Sequence, residues 1–317
     1  MTSPIPRLTI GLPVYNGEPF LTQALDALLG QTYTDFELVI SDNASTDASV
    51  EICQDYARRD ARIRVIRQPH NIGAVPNHFA TLDRARGELF TWASADDLYG
   101  AEFLERCIAL LDQSPDAILA HSWTAAIDAG GTVIHALKYP LHTAAEEPAE
   151  RVRSLLFDHD RIQGAIAADD FYGVFRTEAL RQAPVHGAYY HADQTYMIGL
   201  ALRGRFVHHP EWLYFRRHHP GRAALAHTTV AGWTANLDPA RRDASPARLV
   251  AEFAWAQFAV IQNAPISAQQ KWRCYRHLAR WATSRVERRL GAGSRFAQAV
   301  PDTAGLAIGD LGVVVGR

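Results

Sequence analysis

One pattern repeats through the first 114 residues and limits the fold more than any other feature. Short apolar runs at residues 8–12, 36–40, 63–66 and 89–93 alternate with segments of helical period. After the first run, Phe20, Leu21, Ala24, Leu25, Leu28 and Leu29 recur three and four apart, and Gly30 supplies a stop. After the second, Ser45, Thr46 and Asp47 offer caps for a helix reaching about residue 59. After the third, Asn71-Ile72-Gly73 makes a turn before a helix over residues 75–86. Strict β-α alternation predicts a mostly parallel sheet flanked by helices. Right-handed crossovers then bring the connecting loops to one rim, the carboxyl end of the strands, where ligands bind in open α/β sheets.

Three loops on that rim are polar in a consistent way: Pro13-Val14-Tyr15-Asn16, Ser41-Asp42-Asn43 and Ser94-Ala95-Asp96-Asp97. Adjacent carboxylates such as Asp96 and Asp97 are costly unless water, a cation or a donor network neutralises them. Taken alone the pair reads equally well as a solvated turn before a helix near Ala101. No Gly-x-Gly-x-x-Gly follows the first strand and no Walker loop occurs, which argues against a dinucleotide enzyme or a P-loop ATPase.

Beyond residue 114 the pattern changes. Residues 118–124 and 132–138 flank an Asp-Ala-Gly-Gly turn and predict a hairpin. Residues 140–150 read as a mobile polar loop. Residues 173–176 and 205–208 read as short strands, and residues 195–203 as a helix with Asp193 at its start. Residues 249–262 and 268–289, rich in Trp, Phe and Arg, predict two long helices. The expected organisation is an α/β half at 1–114, a second half of the same domain at 115–225, and a C-terminal helical extension at 226–317.

Bulk properties narrow the class. A chain that is 48% hydrophobic and 21% charged supports a real core. A formal net charge of -2 gives no overall basic field for nucleic acid. Three scattered cysteines, Cys53, Cys107 and Cys274, form no disulfide framework or zinc pattern, which suits a reducing cytoplasm. No apolar stretch is long enough to span a bilayer. The C-terminal helices are left with two expected roles, contact with the membrane's inner face or homodimer pairing.

The motifs resemble glycosyltransferase family 2, whose members have the GT-A fold. Leu8-Thr9-Ile10-Gly11-Leu12-Pro13-Val14-Tyr15-Asn16-Gly17 resembles that family's opening strand and Pro-x-Tyr-Asn loop. Gln31-Thr32-Tyr33 resembles its approach to the second strand, Asp42-Asn43-Ala44-Ser45-Thr46-Asp47 its Asp-rich segment, and Asn71-Ile72-Gly73 its Asn-x-Gly turn. Asp96-Asp97 resembles the last two acids of its Asp-x-Asp-Asp motif, but Ser94 stands where the first acid is usual. Further on, Ala192-Asp193-Gln194 and Arg216-Arg217-His218-His219-Pro220-Gly221 resemble its acid-bearing helix start and its Arg-x-His-Pro-Gly loop.

The resemblance implies an inverting transferase that moves sugar from a UDP or dTDP donor to an acceptor hydroxyl, with Mg²⁺ or Mn²⁺ on the diphosphate. Asp96, Asp97 and His219 are the implied metal residues, and Arg217 the diphosphate partner. Pro13, Tyr15, Asn16, Asp42, Arg67, Asn71 and Asp96 are expected to bind the nucleotide, with Asp42 accepting a base N–H and Tyr15 packing on the ring. Asp193, at a helix start that favours its ionised form, is the expected general base; its plainer role is a helix cap. Trp92, Tyr172, Tyr189 and Tyr190 are the expected acceptor residues, although Trp92 also fits a core position. The acceptor could be a glycan, a lipid-linked sugar or a small molecule. Two competing readings are a non-catalytic nucleotide-sugar binder and a sugar-nucleotide pyrophosphorylase. The second needs a Gly-rich, basic loop after strand one, which Pro13 to Gly17 is not.

Overall fold

A computed structural model describes residues 5–136, 138, 142–158, 169–184, 186–189, 191–227, 229–290 (backbone only at 224 and 285–290) and 306–315. One nine-stranded sheet runs through the protein. Its first half has β1 (Leu8–Val14), β2 (Phe36–Asp42), β3 (Ile63–Arg67) and β4 (Leu89–Trp92). They lie parallel in the order β3-β2-β1-β4. Between them run α1 (Glu18–Leu29), α2 (Ser49–Arg59) and α3 (Ala74–Leu82). The strands read as continuous apolar runs because they are covered on both faces: Leu8, Ile10, Leu12, Leu38, Val39 and Ile40 are wholly buried. The third helix stops four residues short of the expected end, in a turn where Arg84 and Ala85 donate to the Thr81 and Leu82 carbonyls.

The sheet continues with β5 (Leu98–Tyr99), β6 (Ala117–Ile127), β7 (Val133–Ala136), β8 (Val174–Arg176) and β9 (Arg205–Arg217), and α4 (Phe103–Gln113) precedes β6. Beyond β4 the order is β8-β6-β9-β5, with β7 paired to β6. β8 is antiparallel to both neighbours, whereas β6 and β9 are parallel. The hairpin around Asp128 to Gly131 is present as β6 and β7. The short strand expected at 205–208 is instead thirteen residues long. The polar stretch at 140–150 falls partly outside the described residues; from Pro148 it is helical rather than loop, with the buried Arg151 donating to the Ala145, Glu146 and Ala201 carbonyls.

The C-terminal region adds a short helix, Val230–Leu237, and a helical hairpin, Pro246–Gln262 and Ala268–Leu290. The first long helix packs on the helix Ala192–Ala201 and the second on the helix Pro148–Arg153. Phe90, Trp92, Phe175, Tyr196, Val260, Cys274 and Trp281 share one apolar cluster, so the extension is built onto the core. All three cysteines are free and buried. No described helix is long and apolar enough to cross a membrane.

Candidate active site

The loops at the carboxyl ends of β1 and β2 are cross-linked by their own side chains. Asn16 sits in the left-handed region, φ 50°, which Asn tolerates. Its N–H donates to Ser45 Oγ at 2.9 Å, and its Oδ1 accepts from the Thr46 N–H at 2.9 Å. Gly17 N–H donates to Ser49 Oγ at 2.8 Å, and Glu18 N–H to Asp47 at 3.1 Å. The polar segment 45–49 therefore clamps the first loop more than it caps α2, whose first-turn amide at Ser49 is met by Asp47. Asn43 joins the Asn71-Ile72-Gly73 turn after β3, donating Nδ2 to Asn71 Oδ1 at 3.0 Å and accepting the Ile72 N–H at 2.8 Å.

Asp42 has no exposed surface. Its carboxylate accepts the Ser45 N–H at 3.2 Å, and the exposed Arg67 lies 4.0 Å away. In this structure the carboxylate offers no exposed edge to a base: it holds the turn and has Arg67 beside it. Tyr15 is half exposed and, with Asn71, lines a shallow cleft against Gly232, Ala235 and Asn236 of the helix Val230–Leu237. Pro13 is a partly buried residue of β1 opposite Ser41.

The acid pair divides into two roles. Asp97 is fully buried, with Oδ1 accepting from the Arg217 N–H at 2.7 Å and Arg222 Nη1 at 3.0 Å, and Oδ2 accepting from the Tyr214 hydroxyl. Both oxygens accept from β9 or the residues just after it and none of the side chain is exposed, so Asp97 anchors β9 to the β4 loop and is not presented to the cavity. Asp96 faces a cavity. Its Oδ2 lies 2.9 Å from His219 Nε2 and 3.7 Å from Arg222 Nη1, and its Oδ1 accepts from Ser94 Oγ. Burial pushes the Asp96 carboxyl up, but the His219 and Ser94 hydrogen bonds and the Arg222 charge outweigh it and hold the pKa at about 2. Ser94, standing where an acid is usual, thus acts as a donor that fixes the rotamer of Asp96. The ring of Phe20 packs against His219 at 4.6 Å.

Arg217 does not meet a diphosphate. It is wholly buried, and Nε donates to the Asp96 carbonyl at 2.8 Å, Nη1 to the Ala129 carbonyl at 2.9 Å and Nη2 to Gln23 Oε1 at 2.8 Å. Its guanidinium also lies 4.7 Å from the Phe20 ring centre. A long strand alternates its faces, and Arg217 falls on the inward one; Arg216 and Arg222 reach the cavity instead. The sequence signal for Arg222 was its place directly after the His-Pro-Gly turn.

The cavity has a volume of about 260 Å³ and is lined by Ser94, Asp96, Tyr172, Asp193, Arg216 and Arg222, together with Trp233, Asn236 and Leu237 of the helix Val230–Leu237. His78, Phe79, Phe171 and His186 also line it. Asp193 lies in the first turn of the helix Ala192–Ala201, two residues past the cap residue His191, whose φ is 59°. It is therefore inside the helix and not the cap residue. Of the expected acceptor residues, Tyr172 lines the cavity, stacked on Tyr214 at 5.4 Å. Tyr189 packs against Phe253 outside it. Tyr190 lies outside the described residues. Trp92 is a core residue with no exposed surface, stacked on Phe171 at 4.7 Å and donating Nε1 to the His78 carbonyl, so it cannot touch an acceptor. No cluster of three or more His, Cys, Asp or Glu is placed to hold a metal ion among the described residues.

Comparison with known proteins accords with the fold and the rim motifs. The profile of glycosyl transferase family 2 matches residues 9–182, more than half of the chain. The chain belongs to that family. It is 37% identical over 110 residues to the uncharacterized glycosyltransferase EpsJ of Bacillus subtilis, covering 35% of this chain and 32% of that protein. It is 31% identical over 130 residues to an uncharacterized glycosyltransferase of Haemophilus influenzae, covering 41% of this chain and 52% of that protein. The chain thus spans between a third and about half of the length of these relatives. Among solved structures, residues 1–349 of S. aureus TarS in complex with UDP-GlcNAc superpose with a TM-score of 0.65 at 18–19% identity, covering 91% of this chain and 76% of that one. At that identity the likeness is one of fold.

Proposed function

We propose that the protein is an inverting glycosyltransferase that moves a sugar from a nucleoside diphosphate, UDP or dTDP, to an acceptor hydroxyl. The observation that carries this reading is that Asp96, Arg222 and Asp193 line one cavity at the carboxyl rim of the sheet. Asp193 serves as general base: it takes the acceptor's proton as that oxygen bonds to the anomeric carbon. The bond from that carbon to the diphosphate breaks on the opposite face, and the electron pair leaves on the diphosphate oxygen. Arg222 and Arg216 face the charge that develops there, where preorganised donors matter most. Tyr172 supplies an aromatic wall for a sugar ring. The pairing of a UDP-GlcNAc complex with the same fold in TarS makes a uridine donor the first to test.

Asp96 and His219 would hold a Mg²⁺ or Mn²⁺ ion. The donor set fits: a carboxylate oxygen and an imidazole nitrogen 2.9 Å apart, the nitrogen giving up the proton it shares with Asp96, suit a hard or borderline cation that takes its remaining ligands from diphosphate and water. Bound, the cation would neutralise charge on the leaving diphosphate. The base would stack beside Tyr15, in the cleft that Asn71 also lines. A cytoplasmic setting is consistent with the three unpaired thiols.

The decisive experiment pairs donor binding with turnover. Asp193→Asn should keep UDP binding and lose transfer by roughly 10²–10⁴-fold, while Asp96→Asn should abolish the enhancement of UDP binding by Mn²⁺. Transfer at the wild-type rate in Asp193→Asn removes the base assignment. Binding of UDP that is indifferent to Mn²⁺ in the wild-type protein removes the metal.

A further inference from the structure

We propose that the outer face of the C-terminal helical hairpin docks on an anionic lipid bilayer. The hairpin's inner face is accounted for: Leu249, Val260, Ile261, Cys274 and Trp281 are buried against the body. Its outer face carries four of the eight exposed large apolar side chains among the described residues, namely Val250 at 52%, Trp255 at 67%, Phe258 at 42% and Trp272 at 64% exposure. Trp255 meets Phe258 at 5.6 Å, and Phe258 stacks on Tyr275 of the second helix at 5.0 Å and 20°. Trp272 stands one turn before Tyr275. The aromatic groups thus cross from one helix to the other as a connected ridge, and exposed apolar patches of this kind mark interaction sites.

Charge selects the occupant. Residues 246–290 carry eight Lys or Arg against two Glu, within a chain whose net charge is -2. Arg248 is paired with Glu252, and Arg273 with Glu147 and Glu150. Arg276 and Arg280, both exposed, form no ion pair among the described residues and follow Trp272 at helical spacings of four and eight. Tryptophan and tyrosine favour headgroup depth, and neighbouring cations are drawn to anionic lipid. A second copy of the chain fits less well, because a two-fold contact would set this basic ridge against itself. On its inner side the first helix touches the cavity wall, with Phe253 5.9 Å from the ring of His191, two residues from Asp193. A docked hairpin would hold the active-site cavity beside the membrane, where an acceptor carried on a lipid is met without leaving the surface.

The test uses the full chain and sedimented vesicles of phosphatidylcholine, with or without about one-third phosphatidylglycerol. Binding is expected to the anionic vesicles only and to fall as salt is raised. Arg276→Gln with Arg280→Gln should weaken it by roughly 25-fold, about fivefold per cation, and Trp255→Ala with Trp272→Ala should weaken it at least as much. These side chains are exposed, so thermal midpoints should stay at the wild-type value and exclude unfolding as the cause. Equal binding to neutral vesicles, no binding to either, or wild-type binding by both variants overturns the proposal. So does a concentration-dependent dimer that Trp255→Ala with Trp272→Ala abolishes while vesicles are ignored, which would assign the ridge to self-association.

Discussion

Arg217 and Arg222 stand five residues apart, and the structure gives them opposite duties. Replacing Arg217 with Met leaves the Asp96 and Ala129 carbonyls and Gln23 Oε1 facing an apolar group, each from a hydrogen bond of 2.9 Å or less. An unsatisfied buried acceptor costs about 1–3 kcal/mol, and partial relaxation offsets some of it, so a loss of about 3–5 kcal/mol is expected. At about 2–4 °C per kcal/mol for a domain of this size, the thermal midpoint should fall by roughly 10 °C. UDP affinity measured by calorimetry well below that midpoint should change little. Arg222→Met should show a different balance: it removes one cavity cation and one of three donors to Asp97, so UDP affinity falls with it. Urea unfolding and calorimetry on both variants separate the two roles. If Arg217→Met unfolds within about 1 kcal/mol of wild type while losing UDP affinity tenfold, the assignment of Arg217 to scaffolding is refuted.

Trp92→Ala should cost about 3–5 kcal/mol in urea unfolding, as large aromatic truncations in cores do, and in the Trp92→Phe protein the acceptor KM should stay at the wild-type value; a raised acceptor KM in the latter would restore an acceptor role. Gly73 has φ 92°, and a Cβ there would lie 2.5 Å from the Leu237 carbonyl oxygen, so Gly73→Ala should lower stability by roughly 1–3 kcal/mol; near-neutral behaviour would show that the contact of residues 237–239 with the Asn71-Gly73 turn is loose. His208 is held neutral, mainly by burial and next by the nearby His121, with its pKa pushed down to about 3. The unfolded chain therefore binds the extra proton first, and this residue makes stability fall by up to about 1.4 kcal/mol per pH unit as pH drops from 6.5 toward 3. Guanidinium melts of wild type and His208→Gln across pH 5–7 should show a shallower slope in the variant.

The parallel half of the sheet was legible because each buried strand is an unbroken apolar run and each crossover helix shows its period. The β6-β7 hairpin was legible through its Gly-Gly turn. The length of β9 was not, since Pro210 and Glu211 interrupt its apolar pattern while the strand continues past them, with register shifts against β6 at Ser122 to Thr124. At the site, Asp96 and His219 could be placed on loops, and Asp193 at a helix start, from motif spacing. Which of two adjacent residues turns outward could not be read. Asp96 against Asp97 is decided by the Tyr214 and Arg222 donors on β9 and beyond, and Arg216 against Arg217 by strand facing. Trp92 illustrates the converse: its buried strand pointed to the core, and Phe171, which stacks on it, comes from a segment 79 residues away.

The cavity lining is drawn from Ala74 through Leu237, and its last residues come from the helix at 230–237. Most of the parallel sheet is complete by Trp92, long before that helix exists. During synthesis, which proceeds from the N-terminus, a nascent chain would own the parallel half of its sheet well before it owned a complete cavity. Formation of the complete cavity is thereby deferred until residues 230–237 have emerged, well after the four parallel strands of the first half.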